Sequence, residues 1–483
     1  MAIRPHPARR GGRLRAAVIA ACGLVVGFAT AGCGTAASPP PPVARAVAAA
    51  ITEDGLRARL EELAGATAGS PGYRAVGTAG YDRAADLVAG TLRSAGWTVT
   101  EEVSTGPAFA DGGSSVLEAG GRTFGASDVR PLVFAPPGAV EGPVVPIDWD
   151  PAASDRSGRG CAVTHYGALP ARAIVVVRSG DCLRRDQVLA AQQAGAAAFV
   201  AVYPVAPAGA VYRPTLLDPA SMEIPAAGVS RDAAGALVAA AAAGTEARLV
   251  TDGRTWLVRT RSILAELPGS EPGVVVMLGA HLDSVLDGPG IVDDGSGVAA
   301  LLTLAEALVG TRPRATVRLA FWSGEELGLH GSYRYASSLT DDARRAILVY
   351  LNADMIASPN GFAGVYDESR APIGSRAVHD LLAAAVERAG GTPVGVDLGG
   401  GADHRGFADA GIATGGVFSG AGEPVTAAQA AASGATAGRP ADPCYHQACD
   451  DLANANLPLA RILAAALADV TVGLANHPEL LRR

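Results

Sequence analysis

The chain has 483 residues, 49% of them hydrophobic and 18% charged, a globular composition too long for one simple core, so two domains or one with a large insertion are expected. Its basic residues are all Arg, and a formal net charge of −8 gives no basic footprint, which argues against nucleic acid as a partner. Arg4, Arg9, Arg10, Arg13 and Arg15 precede the apolar run 16–31, which is too short and wrongly flanked for a transmembrane helix and reads as an export signal. Of the six cysteines, Cys22 lies in that run and is lost with it. Cys161, Cys182, Cys444 and Cys449 are an even set in an exported chain, which fits two disulfides. Sequence locality favours Cys161 with Cys182 and Cys444 with Cys449.

The signal ends Thr30-Ala31-Gly32-Cys33, which resembles a bacterial lipoprotein signal with Cys33 as the lipidated first residue. Thr30 stands where Leu is usual, so secretion without a membrane anchor is the alternative. Pro39 to Pro42 reads as a stiff tether. A first helix is predicted over 52–65, with Thr52 as N-cap and Glu53 and Asp54 in its first turn. A second follows over 81–94, with Tyr81, Ala84, Ala85, Val88 and Leu92 near one face, and then a strand over 97–103.

From about 106 to 255 the texture changes to short β-like runs between Gly and Pro, at 132–134, 144–147, 173–177 and 198–203. Residues 171–203 read strand, tight turn, helix, strand. This segment resembles the protease-associated (PA) domain through Arg178-Ser179-Gly180-Asp181-Cys182 and Ala194-Gly195-Ala196. The resemblance implies a β-rich insertion without catalysis of its own. The α/β pattern then resumes: strands over 256–267, 274–278, 317–322, 347–351 and 412–419, helices over 298–308, 326–337, 376–389 and 457–474. Strands alternating with helices predict a mostly parallel sheet covered on both faces, with sites beyond the carboxyl ends of its strands. The expected division is 1–33 signal, 34–50 tether, 51–106 with 255–483 as the main domain, and 107–254 as the insert.

Four clusters carry ligand chemistry. His281 and Asp293 lie in the Gly- and Pro-rich stretch 278–297; Glu325 and Glu326 follow a strand; Asp354 ends another; His446 sits between Cys444 and Cys449. Two His, two Asp and two Glu fit two divalent cations bridged by a carboxylate, zinc first, with manganese or cobalt as alternatives. Such cations supply Lewis acidity and lower the pKa of water. The extra Glu is then free to act as general base. Asp283, two residues after His281, is expected to accept the imidazole's other N–H and fix its tautomer. No HExxH is present, so a one-helix zinc protease is not the reading.

These stretches, GTAGYDRAADLV, GAHLDSV, GPGIVDDGSG, FWSGEELGLHGS, LNADMIASPN, GVFSGAG and DPCYHQACD, resemble the M28 metallopeptidases, close to secreted bacterial aminopeptidases with two zincs. The resemblance implies the phosphorylase/hydrolase-like α/β fold of the zinc-dependent exopeptidases, with the PA segment inserted. It implies Asp293 as the bridge, His281 with Asp354 on one metal, Glu326 with His446 on the other, Glu325 as base, and Tyr445 toward the tetrahedral intermediate. It also implies a cis peptide after Asp293. Val292 departs from the usual Asn, and Gly401-Ala402-Asp403-His404 lacks an Arg found in close relatives, with His404 read as structural. Arg461 stands where an acidic calcium ligand would be, so no calcium site is expected. The implied activity is removal of N-terminal residues from peptides or proteins by a monomer, with Met355 and Phe418 beside a hydrophobic first side chain. The alternatives are a carboxypeptidase or N-acyl amino acid hydrolase, a single-zinc glutaminyl-cyclase-like acyltransferase, and a non-catalytic binding protein.

Overall fold

The apolar run that ends in His281 forms a strand, Val275–His281, in which every residue is buried, as a parallel strand covered on both faces requires. The computed structural model describes residues 42–69, 72–147, 160–178, 182–203, 211 and 213–481. Cys33, the tether up to residue 41 and residues 179–181 of the PA-type turn lie outside them.

The main sheet has eight strands, numbered here along the chain: β1 (Thr98–Ala110), β2 (Arg254–Leu267), β3 (Val275–His281), β4 (Thr316–Trp322), β5 (Ile347–Ala353), β6 (Gly364–Tyr366), β7 (Val394–Val396) and β8 (Thr414–Phe418). Their spatial order is β1-β2-β4-β3-β5-β8-β6-β7. The centre, β4-β3-β5-β8, is parallel, while β1-β2, β2-β4 and β8-β6 pair antiparallel. The carboxyl ends of β3, β4 and β5 are therefore neighbours, and each runs directly into one of the acidic clusters.

Helices cover the sheet. Glu53–Thr67 is capped by the Thr52 hydroxyl, which accepts from the Gly55 N–H, and buries Leu56, Leu60 and Leu63 along one stripe. Ala79–Ser94 is capped in the same way by Thr78, and Gly295–Ala307 by Asp294. Leu457–Asn476 is long and apolar enough to cross a membrane by length and composition, but 72% of that window is buried and it serves as a core helix.

Three local expectations change. The segment read as tether to residue 50 is helical over Pro42–Ala50, with Ala44 and Val47 packed into the main core. Of the strand expected at 132–134 only Val133 pairs, in an isolated bridge to Thr215, because Phe134 takes a left-handed φ of 74°. The helix expected from Glu326 begins only at His330, and residues 323–329 form a turn held by Asp283, as described below.

The insert builds its own eight-stranded sheet, with Gly138–Pro146, Ile174–Arg178, Ala198–Val202 and Ala226–Val229 as its parallel centre. A disulfide joins Cys161 to Cys182 there, and a second joins Cys444 to Cys449 in the main domain.

Candidate metal centre

Five side chains converge at the ends of β3, β4 and β5. His281 Nε2 lies 3.0 Å from Asp293 Oδ1 and 3.7 Å from Asp354 Oδ1. His446 Nε2 lies 3.2 Å from Asp293 Oδ2 and 3.1 Å from Glu326 Oε2. Asp293 thus offers one oxygen to each of two groups, and the ligand atoms within each group lie within 4.8 Å of one another. Ligands about 2.0–2.1 Å from a tetrahedral ion sit about 3.3–3.5 Å apart, so this spacing is that of atoms sharing a cation. Glu326 Oε1 is buried with no hydrogen-bond partner among the described residues, an acceptor whose burial is costly unless something positive meets it. The donor set of imidazole and carboxylate suits first-row divalent cations. On all three counts the residues fit two metal ions.

The backbone that carries them is tightly tied. The Asp293–Asp294 peptide is cis, as the resemblance implied. Asp294 ties the segments together: its buried carboxylate accepts from the N–H groups of Gly297 (2.8 Å), His281 (3.1 Å) and Met355 (3.1 Å). Asp450, which sequence reasoning passed over, accepts from the N–H groups of Val292 (2.8 Å) and Asp293 (3.1 Å) and so fixes Asp293 from behind. Burial pushes Asp450 up to about 8, against the pull of those N–H groups. Arg74, also missed, is fully buried; its guanidinium donates to the carbonyls of Leu282 (2.8 Å) and Pro289. A Cβ on Gly288 would lie 2.1 Å from the Gln447 carbonyl oxygen, so glycine there lets the Asp293 loop close on the His446 loop.

Asp283 needs correcting. The partner of His281 Nδ1 is the Asp283 carbonyl at 3.0 Å; the carboxylate is 3.9 Å away. That buried carboxylate instead accepts from the N–H groups of Gly324 (2.8 Å), Glu325 (3.2 Å) and Glu326 (3.3 Å). Three N–H groups converging on one carboxylate fix this turn and aim Glu325 and Glu326, while the left-handed φ of Gly328 (117°) and Leu329 (61°) delays the helix to His330. Tyr445 stacks on His446 with ring centroids 3.8 Å apart, and His446 itself sits at a left-handed φ of 58°. Met355, next to Asp354, is packed into the main core at 3% exposure, and Phe418 is half-buried at its edge. His404 is buried, pairs with Glu368 at 2.7 Å and belongs to neither ligand group.

Burial alone would push His281 and His446 down, but the surrounding carboxylates outweigh it and hold both imidazoles well above their usual range. Both shifts favour the protonated imidazole in the metal-free protein, and a protonated nitrogen must lose its proton before it can ligate. Metal uptake should release protons, and affinity should rise with pH and fall on acidification. Calorimetric metal titration of the chelator-stripped protein in buffers of different ionisation enthalpy measures this; uptake without proton release would contradict it.

The profile of peptidase family M28 matches residues 262–471. Over 469 residues the chain is 36% identical to the probable lipoprotein aminopeptidase LpqL of Mycobacterium tuberculosis, covering 91% of this chain and 90% of that one. The chain belongs to peptidase family M28. A PA domain profile matches residues 140–237 of this M28 metallopeptidase, inside the inserted sheet. An aminopeptidase of Pseudomonas aeruginosa is 33% identical over 432 residues, or 86% of this chain and 79% of that one. Among solved structures, the aminopeptidase from Aneurinibacillus sp. strain AM-1 shares the fold with a TM-score of 0.69 at 20% identity, over 89% of this chain and 96% of that one. The zinc aminopeptidase BSAP from Bacillus subtilis does so with a TM-score of 0.66 at 21% identity, over 87% and 95%.

Proposed function

We propose that this M28 enzyme is a two-metal aminopeptidase, with zinc as the metal, that removes hydrophobic N-terminal residues from peptides outside the cytoplasm. Metal-dependent aminopeptidase activity accords with the family and with the names its relatives carry. The observation that supports two metals is Asp293, with one carboxylate oxygen toward each histidine. Zinc is supported by the donor set and by the description of BSAP as a zinc aminopeptidase. The word lipoprotein in the name of LpqL supports export with Cys33 as anchor, which fractionation of expressing cells checks.

In this reading His281 and Asp354 hold one cation, Glu326 and His446 the other, and Asp293 both. The bound cations supply Lewis acidity toward the scissile carbonyl and lower the pKa of water. Glu325 belongs to neither ligand group; it takes the water's proton and delivers it to the leaving amine. Burial pushes Glu325 well up from the usual carboxylate range, the direction that strengthens a proton acceptor. The carboxylates of Glu325 and Asp354 hold the substrate's free amine. The first side chain lies toward Phe418, with buried Met355 behind it, and Tyr445 donates to the oxygen of the tetrahedral intermediate.

Metal analysis paired with a panel of amino-acid amides and N-blocked peptides tests the proposal. About two metal equivalents and cleavage of leucine amide are expected. Activity on blocked peptides alone would move the assignment to an N-acyl amino acid hydrolase or a carboxypeptidase.

A further inference from the structure

The turn that carries Glu325 and Glu326 is held from two sides. At its start, the Asp283 carboxylate of the main domain accepts from the N–H groups of Gly324, Glu325 and Glu326. At its end, the contacts come from the insert. Leu327, the residue after Glu326, packs against the insert core that includes Phe134, Leu216 and Met222. The Thr215 hydroxyl lies 3.5 Å from the Leu327 carbonyl oxygen, and a Cβ on Gly328 would meet Leu217 at 3.2 Å. Phe134 is buried, and its ring stands edge-on to that of His330 with centroids 6.4 Å apart. The insert's other core, around Leu237 and Leu249, includes no main-domain residue among those described.

Backbone strain marks the same place. Six described non-glycine residues take a left-handed φ. Met355 and His446 are at the metal centre, while Phe134 (74°), Leu217 (66°) and Leu329 (61°) are at this junction, which leaves Arg172 elsewhere. Such conformations cost energy and persist where the surroundings over-determine them. We propose that the insert is a clamp on this turn and that Leu327 is the positioning residue through which it fixes Glu326 at its metal. This rests on the two-metal reading above. With the Glu326 N–H on Asp283 and the next residue anchored in the insert, the Glu326 backbone is tied on both flanks. A ligand already ordered keeps the affinity that ordering it would cost. His281 ends β3 and Asp354 follows β5, both in the main sheet, so the clamp bears on one metal site and not on the other.

Calorimetric zinc titration of the chelator-stripped full chain resolves the two sites, and the step absent from a His446→Ala variant is the one held by Glu326 and His446. Leu327→Ala should weaken that step by about 10–100-fold, the range that loss of a supporting contact costs a metal site, and leave the other within about twofold. Phe134→Ala should do the same from the insert's side; Phe134→Leu serves if it does not fold. Leu327→Met restores an apolar side chain of similar volume and should bring the step back to within about twofold of wild type. Leu249→Ala opens a cavity in the insert's other core, so it should lower the urea midpoint and leave both steps at their wild-type values. If both steps weaken together, if neither moves, or if Leu249→Ala weakens the Glu326 step as Leu327→Ala does, the clamp is overturned. A wild type that binds two ions but does not cleave leucine amide would end the aminopeptidase reading and leave the clamp standing. One that binds a single ion would end the two-metal reading and the clamp with it.

Discussion

Replacing Glu325 with Gln should lower kcat by about 10²–10⁴, the range a positioned general base supplies, while metal content stays at the wild-type value. The two halves of that result come from different features. Glu325 contributes no atom to either group of candidate ligands, so its loss should not empty the centre. Its backbone N–H, not its side chain, is what Asp283 holds, so the turn should survive an isosteric change. What is lost is the acceptor for the water's proton, and a carboxamide cannot replace it. Rates on leucine amide, with metal measured by mass spectrometry on the same sample, check both halves. Near-full activity would remove Glu325 from the base role; a lost metal would make it a ligand instead.

The convergence of His281, Asp293, Glu326, Asp354 and His446 was legible because His281, Glu326 and Asp354 end or closely follow apolar runs and His446 lies between two cysteines. A parallel sheet brings strand ends together whatever their separation in sequence. The alternating pattern gave the central strands and most helices for the same local reason. Where reading failed, a distant contact had decided the outcome. A helix was expected from Glu326, but Gly328 and Leu329 take left-handed φ of 117° and 61° and delay it to His330, and Asp283, more than forty residues earlier, holds the turn before them. The N–H of Val292 is paired with Asp450 across 158 positions, and nothing near either residue announces the pairing. Asp283 was placed near His281 correctly, yet which of its oxygens faces the imidazole depends on the turn at 323–326. The insert was recognisable as a PA-type sheet from local strand and turn signals. Its ties to the main domain were not, because Arg213 gains meaning only through Asp287, which it pairs with across 74 positions.

Asp287 lies in the Gly- and Pro-rich stretch 278–297 but in neither ligand group, and its removal should be among the most destabilising single changes in the molecule. Arg213 from the insert is buried, with a side chain 3% exposed, against Asp287 at 14% and Asp111 at 7%. Arg130 completes the cluster, pairing with Asp111 at 2.9 Å and with Asp287. Two Arg and two Asp balance. Asp287→Ala leaves Arg213 and Arg130 to share Asp111, with one buried positive charge uncompensated. Breaking a buried pair from one side costs about 3–5 kcal/mol, and partial exposure of Arg130 puts the expectation at the low end. The double variant Asp287→Ala with Arg213→Met removes one charge of each sign and leaves Arg130 on Asp111. It should recover most of the loss, since an apolar replacement for a buried pair is often neutral. Urea unfolding of the wild type, the single and the double variant measures this, and hydrogen exchange should show the single variant opening first along the insert's contact with residues 284–287. A double variant no more stable than the single one would mean that Asp287 acts through something other than charge balance with Arg213.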